Sequence, residues 1–221
     1  MSDTVDDYLK AIYHLARDGE PVSTSAIARR LEVAEASVTG MVRKLAVRKL
    51  LRHTPYRGVR LTAAGESLAR RMVRKHRLWE LFLVQQLHFG WEEVHSHAER
   101  LEHATDDELE DRLFERLGRP ERDPHGDPIP SREGRRREMS AVRLAALRAG
   151  TRGEILRCLD QDAGLLDHLR RMGLEPGRRF RIRSIAPFGG PISLALGSRR
   201  VQIGPAVARA LEVRELRSGA P

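Results

Sequence analysis

With 221 residues, 40% of them hydrophobic and 32% charged, the chain has the composition of one or two globular domains. Its single cysteine excludes an internal disulfide and a thiolate-rich metal site, so any bound metal must be held by oxygen and nitrogen. The sequence has no signal-peptide pattern and no apolar run of about 18 residues, so we expect a cytoplasmic protein without a membrane partner.

Positive and negative charges are separated along the chain, whose formal net charge is +9. Residues 20–77 carry 14 Lys or Arg against 4 Asp or Glu, whereas residues 79–117 carry 3 against 11. The basic region suits a polyanion such as DNA, and the acidic region suits cations or solvation.

The first 50 residues predict three helices. Apolar residues give residues 3–17 the spacing of an amphipathic helix that ends before Pro21. Ser23 can cap a short second helix, and a third helix opens at Ala34 or Glu35. Two short helices joined by a tight turn indicate a helix-turn-helix unit.

Two short strands at 50–53 and 59–62, joined by a turn around Pro55 and Gly58, follow as a predicted wing. In such a unit the start of the second helix meets base edges in the major groove, and basic residues reach phosphates. The alternative is a helical hairpin with a solvated basic surface. The predicted DNA contacts are Glu35, Ala36, Ser37, Thr39, Gly40, Arg43, Lys44, Arg57 and Arg60.

A long helix capped by Thr62 is predicted to end near Gly90. Its second half is apolar around most of its circumference, which favours a subunit interface.

Thr105 and Glu108 predict a capping box for a later helix. Residues 119–140 are rich in Pro, Gly and Arg and predict a loop and linker.

The carboxy-terminal part changes to short strands. Four strands are predicted from Gly153 onward, with helical pieces at 164–172 and 205–211. A small barrel of about 65 residues is the expected packing for such strands.

Histidines and carboxylates cluster in the stretch HSHAERLEH, residues 95–103. On a helix of 3.6 residues per turn, His95, Glu99, Glu102 and His103 fall within a stripe about 100° wide beside the apolar stripe. One interpretation is a partly buried metal site. The other is a solvated acidic face that carries histidines by chance.

Further candidate ligands lie elsewhere in the chain. His76 and Glu80 are one helical turn apart, Asp7 is near the start of the first helix, and the segment DPHGD places Asp123 and His125 beside turn formers. Carboxylates and imidazoles without thiols favour Mn²⁺ or Fe²⁺, and Zn²⁺, Co²⁺ or Cd²⁺ can substitute. For each pair alone, salt bridging is the simpler alternative.

A catalytic metal is a third possibility, since Glu and His can bind one. The sequence has no HExxH, no GxSxG and no phosphate-binding glycine loop. We therefore expect neither an enzyme nor a small organic substrate.

The chain resembles the diphtheria toxin repressor family of metal-dependent transcriptional regulators, in particular its manganese-responsive branch. The resemblance is carried by DDYLKAIYHL, LEVAEASVTGMVRKL, YRGVRLTAAG, VRKHRLWELFL, EEVHSHAERLEH and DPHGDPIP, and most specifically by KHRLxE and ExxEH. It implies a mainly α protein with a small β part. The implied domains are a winged helix-turn-helix at 1–72, a helical dimerisation and metal-binding domain with linker at 73–140, and an SH3-like or FeoA-like barrel at 141–221.

The resemblance also implies two sets of metal ligands. The primary set would be Asp7, Glu99, Glu102 and His103. Iron-responsive relatives carry Met and Cys at the first two of these positions, and carboxylates there accompany a manganese response. The second set would be His76, Glu80, Asp123, His125 and an acidic residue of the barrel, with Asp160 as first choice and Asp162 as second.

Two further residues, His95 and Lys10, bear on the composition and spacing of these two ligand sets. His95 matches a second-site histidine of the iron-type relatives, and it competes with the barrel carboxylate for that role. Lys10 stands where manganese regulators without a barrel have a glutamate, which argues against a closely bridged pair of metals. Two separated sites are therefore predicted.

The implied function is a Mn²⁺-dependent repressor of metal-homeostasis genes, with the ion as corepressor. Binding would fix the spacing of two recognition helices in a homodimer on a palindromic duplex operator. Two alternatives stay open: an Fe²⁺-responsive regulator of the same family, and a winged-helix regulator whose metal is purely structural.

Overall fold

The structure is a computed structural model that describes residues 3–16, 20–131 and 141–216. Residue 17, the predicted end of the first helix, and residues 132–140 of the predicted linker lie outside the described residues. The chain divides into two units. The first contains the residues up to 76, residues 100–110 and the segment that starts at 130, and the second contains residues 77–99, 111–129 and the carboxy-terminal part from 137.

The helix-turn-helix lies where the sequence predicts it. Helix α1 covers Asp3–Leu15, α2 covers Thr24–Leu31 and α3 covers Glu35–Val47. Ser23 caps α2 as predicted, because its Oγ accepts a hydrogen bond from the Ala26 backbone N at 3.1 Å.

The predicted wing is present, and each strand begins and ends within one residue of its expected place. Strand β1, Leu51–Thr54, pairs antiparallel with β2, Gly58–Leu61. The segment before α2 joins this hairpin, since Val22 and Val59 exchange two backbone hydrogen bonds of 2.8 Å. The wing is thereby attached to the start of the helix-turn-helix.

One apolar core holds the winged helix together. Burial of an aliphatic side chain contributes about 1.5–3 kcal/mol, so these contacts fix which side of α3 faces outward. The fully buried members of this core include Leu9, Ile12, Ile27, Val38, Leu45 and Val59.

Three further helices follow. Helix α4 covers Ala63–Leu87 and ends three residues before the predicted Gly90. Thr62 caps it as predicted, with Oγ1 accepting from the Gly65 backbone N at 3.2 Å. Helix α5 covers Val94–Glu102, and α6 covers Asp107–Arg116.

The predicted capping box at Thr105 is wrong. Asp106 caps α6 instead, since its Oδ1 accepts from the Leu109 backbone N at 2.8 Å. The Thr105 hydroxyl donates to the Leu101 carbonyl at 2.7 Å. Both Thr and Asp are favourable N-cap residues, but the Asp carboxylate is stabilised more strongly because its negative charge lies at the positive end of the helix dipole.

The carboxy-terminal part forms a six-stranded antiparallel sheet in the order β3-β8-β4-β5-β6-β7. Helix α7, Ala163–Met172, follows β4, and α8, Pro205–Ala210, precedes β8. The strands are β3 Val142–Arg143, β4 Arg152–Cys158, β5 Arg179–Ile185, β6 Ile192–Leu196, β7 Arg199–Ile203 and β8 Leu211–Glu215.

The sequence predicts four of these strands and both helices, but it misses β3 and β8. Strand β8 starts directly after α8, and the predicted helix at 205–211 includes its first residue, Leu211. Its pairing with β4 is long-range and leaves no local signal. Among the described helices, none combines the length and apolar character that crossing a bilayer requires.

Candidate metal centres and nucleic-acid interface

The exposed side of α3 carries all seven helix residues predicted to contact DNA. Val38, Val42 and Leu45 turn inward to the core. The Thr39 hydroxyl donates to the Glu35 carbonyl at 3.0 Å and keeps its lone pairs for an external donor. The exposed residues are Glu35, Ala36, Ser37, Thr39, Gly40, Arg43 and Lys44.

Gly40 lies inside α3, where glycine costs about 1 kcal/mol relative to alanine. Apart from its chain neighbours and the nearby backbone of α3, a Cβ atom at this position would meet no atom of the described chain within 4 Å. The fold therefore gives no packing reason for this glycine. An external surface that approaches the helix closely would supply one.

The wing presents the two predicted arginines and two further residues that the sequence prediction missed. Arg57 lies in the turn and Arg60 on β2, both exposed. Arg60 lies directly opposite Arg52, so two like charges face each other across the hairpin. Tyr56 at the tip is fully exposed and has a positive φ of 62°. The hairpin register and the aromatic residue in TPYRG were the available signals.

Asp7, Glu102 and His103 form the first candidate metal centre, here called the Glu102 centre. Each offers one ligand atom within 4.8 Å of the others. Nε2 of His103 lies 3.0 Å from Asp7 Oδ1 and 3.8 Å from Glu102 Oε1. Burial raises the pKa of Asp7, while the charges of His103 and Lys10 oppose that shift.

Two nitrogen groups of the protein contact Glu102, whose side chain is fully buried. Lys10 Nζ donates to Oε1 at 2.5 Å, and Nδ1 of His76 lies 2.5 Å from Oε2. The resemblance assigns His76 to the second ligand set, and its Nδ1 also contacts Glu102. Lys10 follows Asp7 by less than one turn, so α1 contributes both an anion and a cation here.

Glu99, the fourth predicted ligand of the primary set, lies beside His95. Its Oε1 lies 3.5 Å from Nε2 of His95, and its side chain is 50% exposed. Nδ1 of His95 lies 3.4 Å from Glu80 Oε1. The structure therefore pairs Glu99 with His95 and, through His95, with Glu80.

Glu80, Asp123 and His125 form the second candidate metal centre, here called the Glu80 centre. All three are buried, and their ligand atoms lie within 4.8 Å of one another. Glu80 Oε2 lies 3.7 Å from Nδ1 of His125. Nε2 of His125 donates to the Trp91 carbonyl at 2.8 Å, which fixes the proton on Nε2 and leaves Nδ1 for a ligand.

The loop 123–127 is closed on itself and fits only glycine at one position. Asp123 Oδ1 accepts from the backbone N of both His125 and Asp127 at 2.9 Å. Gly126 has a φ of +88°, and a Cβ there would lie 1.8 Å from the Leu156 carbonyl oxygen. The loop thus holds its carboxylate and its imidazole in one fixed arrangement.

Burial and neighbouring charges shift the pKa values of the residues in and beside the Glu80 centre. Burial lowers the pKa of His125, but Glu80 and Asp123 outweigh it and the pKa rises to about 9. Hydrogen bonds to its two carboxylate neighbours raise the pKa of His95 to about 9. Burial raises the pKa of Asp123, although Arg77 Nε, 3.2 Å from its Oδ2, opposes the shift.

The predicted barrel ligand is not among the residues that the structure gathers at the Glu80 centre. Asp160 is exposed, and its Oδ1 accepts from the Asp162 backbone N at 3.1 Å. Asp162 caps α7 by accepting from the Leu165 backbone N at 2.9 Å. Short-range backbone hydrogen bonds thus occupy both carboxylates. Of the two candidates for this role, His95 is the one that lies beside Glu80.

The donor atoms at both centres fit a divalent cation. At the Glu80 centre, Nδ1 of His125 and Oδ2 of Asp123 are buried without a hydrogen-bond partner in the described chain, although Arg77 is an ion-pair neighbour of the latter. Such atoms are rare because each costs about 1–3 kcal/mol. The sets contain only oxygen and nitrogen, which suits Mn²⁺, Fe²⁺ or Zn²⁺.

A winged helix in the same chain as two groups of carboxylates and imidazoles, one of them fully buried, defines a metal-binding, DNA-binding regulator. Three family models match this chain. They are an iron-dependent repressor N-terminal DNA-binding domain at residues 1–59, an iron-dependent repressor metal-binding and dimerisation domain at 62–131, and a FeoA domain at 142–215.

Known proteins are similar over nearly the whole length. The iron-dependent repressor IdeR of Mycobacterium leprae is 30% identical over 98% of this chain and 99% of its own length. IdeR of Mycobacterium tuberculosis is 32% identical over the same shares. The solved structure of a manganese-dependent transcriptional repressor in complex with manganese is 39% identical, with a TM-score of 0.87 over 96% of this chain and 100% of that one. ScaR with bound Zn²⁺ is 31% identical, with a TM-score of 0.76 over 96% of this chain and 99% of that one.

The chain belongs to the diphtheria toxin repressor family. It is a metal-dependent, DNA-binding repressor with a dimerisation domain and a divalent metal cofactor. The predicted fold class is confirmed, with an SH3-like FeoA sheet domain at the carboxy-terminal end. The family is one of transcriptional repressors rather than enzymes.

Proposed function

We propose that the divalent ion to which this repressor responds is Mn²⁺. The observation that carries the proposal is the Glu102 centre, where two carboxylates and one imidazole from distant parts of the chain meet without a sulfur ligand. Hard oxygen donors favour Mn²⁺ over softer ions. The similarity to a manganese-dependent repressor at 39% identity supports the same choice.

We propose that Asp7, Glu102 and His103 hold the ion that controls DNA binding. Bound there, the ion would supply the positive charge that lets the partly exposed Asp7 and the buried Glu102 stay ionised together. Asp7 lies on α1, whose inward residues Leu9 and Ile12 share one core with α3. Fixing Asp7 against the end of α5 therefore restrains the helix that supports the recognition helix.

The second proposed ligand set is Glu80, Asp123 and His125, with His95 beside Glu80. Because these residues surround buried atoms that lack hydrogen-bond partners, an ion here would chiefly stabilise the fold. The exposed residues of α3 and the wing arginines are the proposed DNA contacts. We propose domain boundaries after residues 72 and 140.

The proposed assembly is a cytoplasmic homodimer on a palindromic operator of metal-homeostasis genes. A twofold protein presents two recognition helices about one turn of DNA apart, so its half-sites form an inverted repeat. A full switch from mostly inactive to mostly active needs about a 10⁴-fold preference of the ion for the DNA-competent form.

The test starts by selecting binding sites from a random duplex library with the full-length protein and Mn²⁺. Fluorescence anisotropy then measures affinity for the selected duplex against free Mn²⁺, against Fe²⁺ without oxygen, and in chelator. We expect selected sequences with inverted repeats, and activation by Mn²⁺ at a lower free concentration than by Fe²⁺.

Other outcomes contradict specific parts of the proposal. Activation at lower free Fe²⁺ than Mn²⁺ identifies an iron-responsive regulator. DNA binding that is unchanged in chelator, with a metal still bound, identifies a purely structural ion. Selected sites without twofold symmetry contradict the palindromic operator.

A further inference from the structure

Three arginines form a row on the solvent face of the carboxy-terminal sheet. Register places Arg152 on β4 opposite Arg181 on β5, then Ala195 on β6, then Arg200 on β7. All three arginines are exposed. The set Arg152, Arg181 and Arg200 is here called the arginine row.

The opposite face of the same strands identifies the row as outward. Ile182, Leu194 and Val201, which are next to row positions along their strands, pair with one another and are buried. Side chains alternate between the two faces of a sheet, so the row residues point away from the core. Folding of the domain therefore needs no arginine at these positions.

The row is electrostatically unfavourable for the isolated domain. Arg152 and Arg181 are directly opposite, an arrangement of like charges that destabilises a sheet. No acidic residue occurs from 176 to 211, where the chain has seven arginines. Within the described chain, no carboxylate forms an ion pair with any of the three row residues.

Neighbouring arginines have roles in the fold, unlike those of the row. Arg178 Nε donates to the Gly173 carbonyl at 3.2 Å, and a guanidinium nitrogen of Arg199 donates to the Arg171 carbonyl at 3.0 Å, so both satisfy carbonyls at the end of α7. Arg214 pairs with Glu154 at 2.9 Å.

We propose that the arginine row binds the phosphate backbone of duplex DNA and gives this repressor a second, sequence-independent contact. The proposal rests on the DNA-binding function of the chain. A duplex already bound by the winged helix is presented to the row at high effective concentration, because both belong to one chain. Strands are about 4.8 Å apart, so the row spans about 14 Å, enough to reach phosphates across a groove about 12 Å wide.

The test compares two full-length triple variants at saturating Mn²⁺. The row variant is Arg152→Gln, Arg181→Gln, Arg200→Gln. The control variant is Arg116→Gln, Arg148→Gln, Arg209→Gln, which removes the same charge from exposed positions outside the row. Affinity for the selected duplex and for an unrelated duplex is measured from about 50 to 200 mM salt.

We expect the slope of log affinity against log salt to fall by about 2 to 3 in the row variant, since each lost phosphate contact removes about 0.9. The loss should be equal on both duplexes, because phosphates carry no sequence information. The control should keep the wild-type slope. An unchanged slope in the row variant, or an equal change in both variants, overturns the proposal.

The same proteins separate this inference from its alternatives. Phe188, in the turn between β5 and β6, is fully exposed, so a membrane surface is the competing partner. Flotation with phosphatidylserine vesicles that depends on the row, together with an unchanged DNA slope, overturns the proposal in favour of a membrane. If the wild-type protein binds DNA without any response to Mn²⁺, the proposed metal control is contradicted. The salt slopes of the two variants still show whether the arginine row contacts DNA.

Discussion

The two candidate metal centres use the same donor types in different electrostatic settings. At the Glu102 centre, Lys10 and His76 contact the buried carboxylate from the protein side. At the Glu80 centre, Asp123 Oδ2 and His125 Nδ1 are buried without hydrogen-bond partners. Both centres contain a cation of the protein, since Arg77 Nε lies 3.2 Å from Asp123 Oδ2. At the Glu102 centre, Lys10 donates directly to the buried carboxylate, so a metal ion must displace it, and this exchange can act as a switch. At the Glu80 centre, a metal ion would supply partners to buried atoms that lack a hydrogen bond and so chiefly add fold stability.

The change Glu102→Gln should have the largest effect on function. It keeps the shape of the side chain but removes the charge that a divalent ion needs, so we expect Mn²⁺-stimulated operator affinity to fall more than about 100-fold. Size-exclusion chromatography should still show a folded dimer. Glu115→Gln, an exposed carboxylate on α6, is the matched control. A retained Mn²⁺ response in Glu102→Gln removes this residue from the switch.

The change Lys10→Met tests the internal counter-charge. It leaves the buried Glu102 carboxylate without its cation, so the free energy of unfolding in chelator should fall by about 3 kcal/mol. Added Mn²⁺ should restore most of this loss and bind more tightly than in the wild type. Lys10→Arg, which keeps the charge, should behave as the wild type. Equal stability of Lys10→Met and wild type in chelator contradicts the role of Lys10.

The change His125→Asn tests whether the two centres are separate. Calorimetric titration with Mn²⁺ at about pH 8.5, where the imidazoles can lose their protons, should show two sites per chain in the wild type and one in the variant. The DNA response should weaken by only about tenfold, because the Glu102 centre is intact. His97→Asn, whose ring lies against Phe89, is the control. Two sites in the His125 variant would count against this ligand.

The two centres should also differ in their dependence on pH. The pKa values of His95 and His125 are raised to about 9, so their ion pairs stabilise the chelator-treated protein fully below about pH 6.5, and that stability is lost as pH rises through 9. Metal binding needs a neutral imidazole, so the Glu80 centre should gain affinity over the same interval.

Calorimetry at two pH values measures this difference. We expect one Mn²⁺ per chain at about pH 6 and two at about pH 8.5 in limiting metal. In chelator, the melting temperature should be lower at about pH 8.5 than at about pH 6. A stoichiometry that is equal at both pH values contradicts the assignment of the alkaline dependence to the Glu80 centre.

Local signals predicted the winged helix well. Ser23 and Thr62 cap the helices that the sequence assigned to them, and the inward residues of α3 follow the helical spacing. These features depend on neighbours within four residues, which a sequence displays directly. The family resemblance added the connection between Asp7 and Glu102, which lie 95 positions apart.

The side-chain contacts within the metal centres could not be predicted from local sequence signals. The predicted stripe of ligands requires a helix through residue 103, whereas α5 ends at Glu102 and His103 lies in the following turn. The side chain of Asp160 is held by a backbone N two residues later, a choice that spacing does not reveal. The contact of Lys10 with Glu102 depends on how α1 and α5 pack, which is a long-range property.

The loop that carries Asp123 and His125 is built into the carboxy-terminal sheet. The Cys158 backbone N donates to the His125 carbonyl at 3.1 Å, and Arg157 reaches Asp127 at 2.9 Å. Strand β4 therefore serves as the scaffold of the Glu80 centre. The sheet cannot be deleted or exchanged between relatives as an independent module without dismantling that centre, which gives the chain a physical reason to inherit both together.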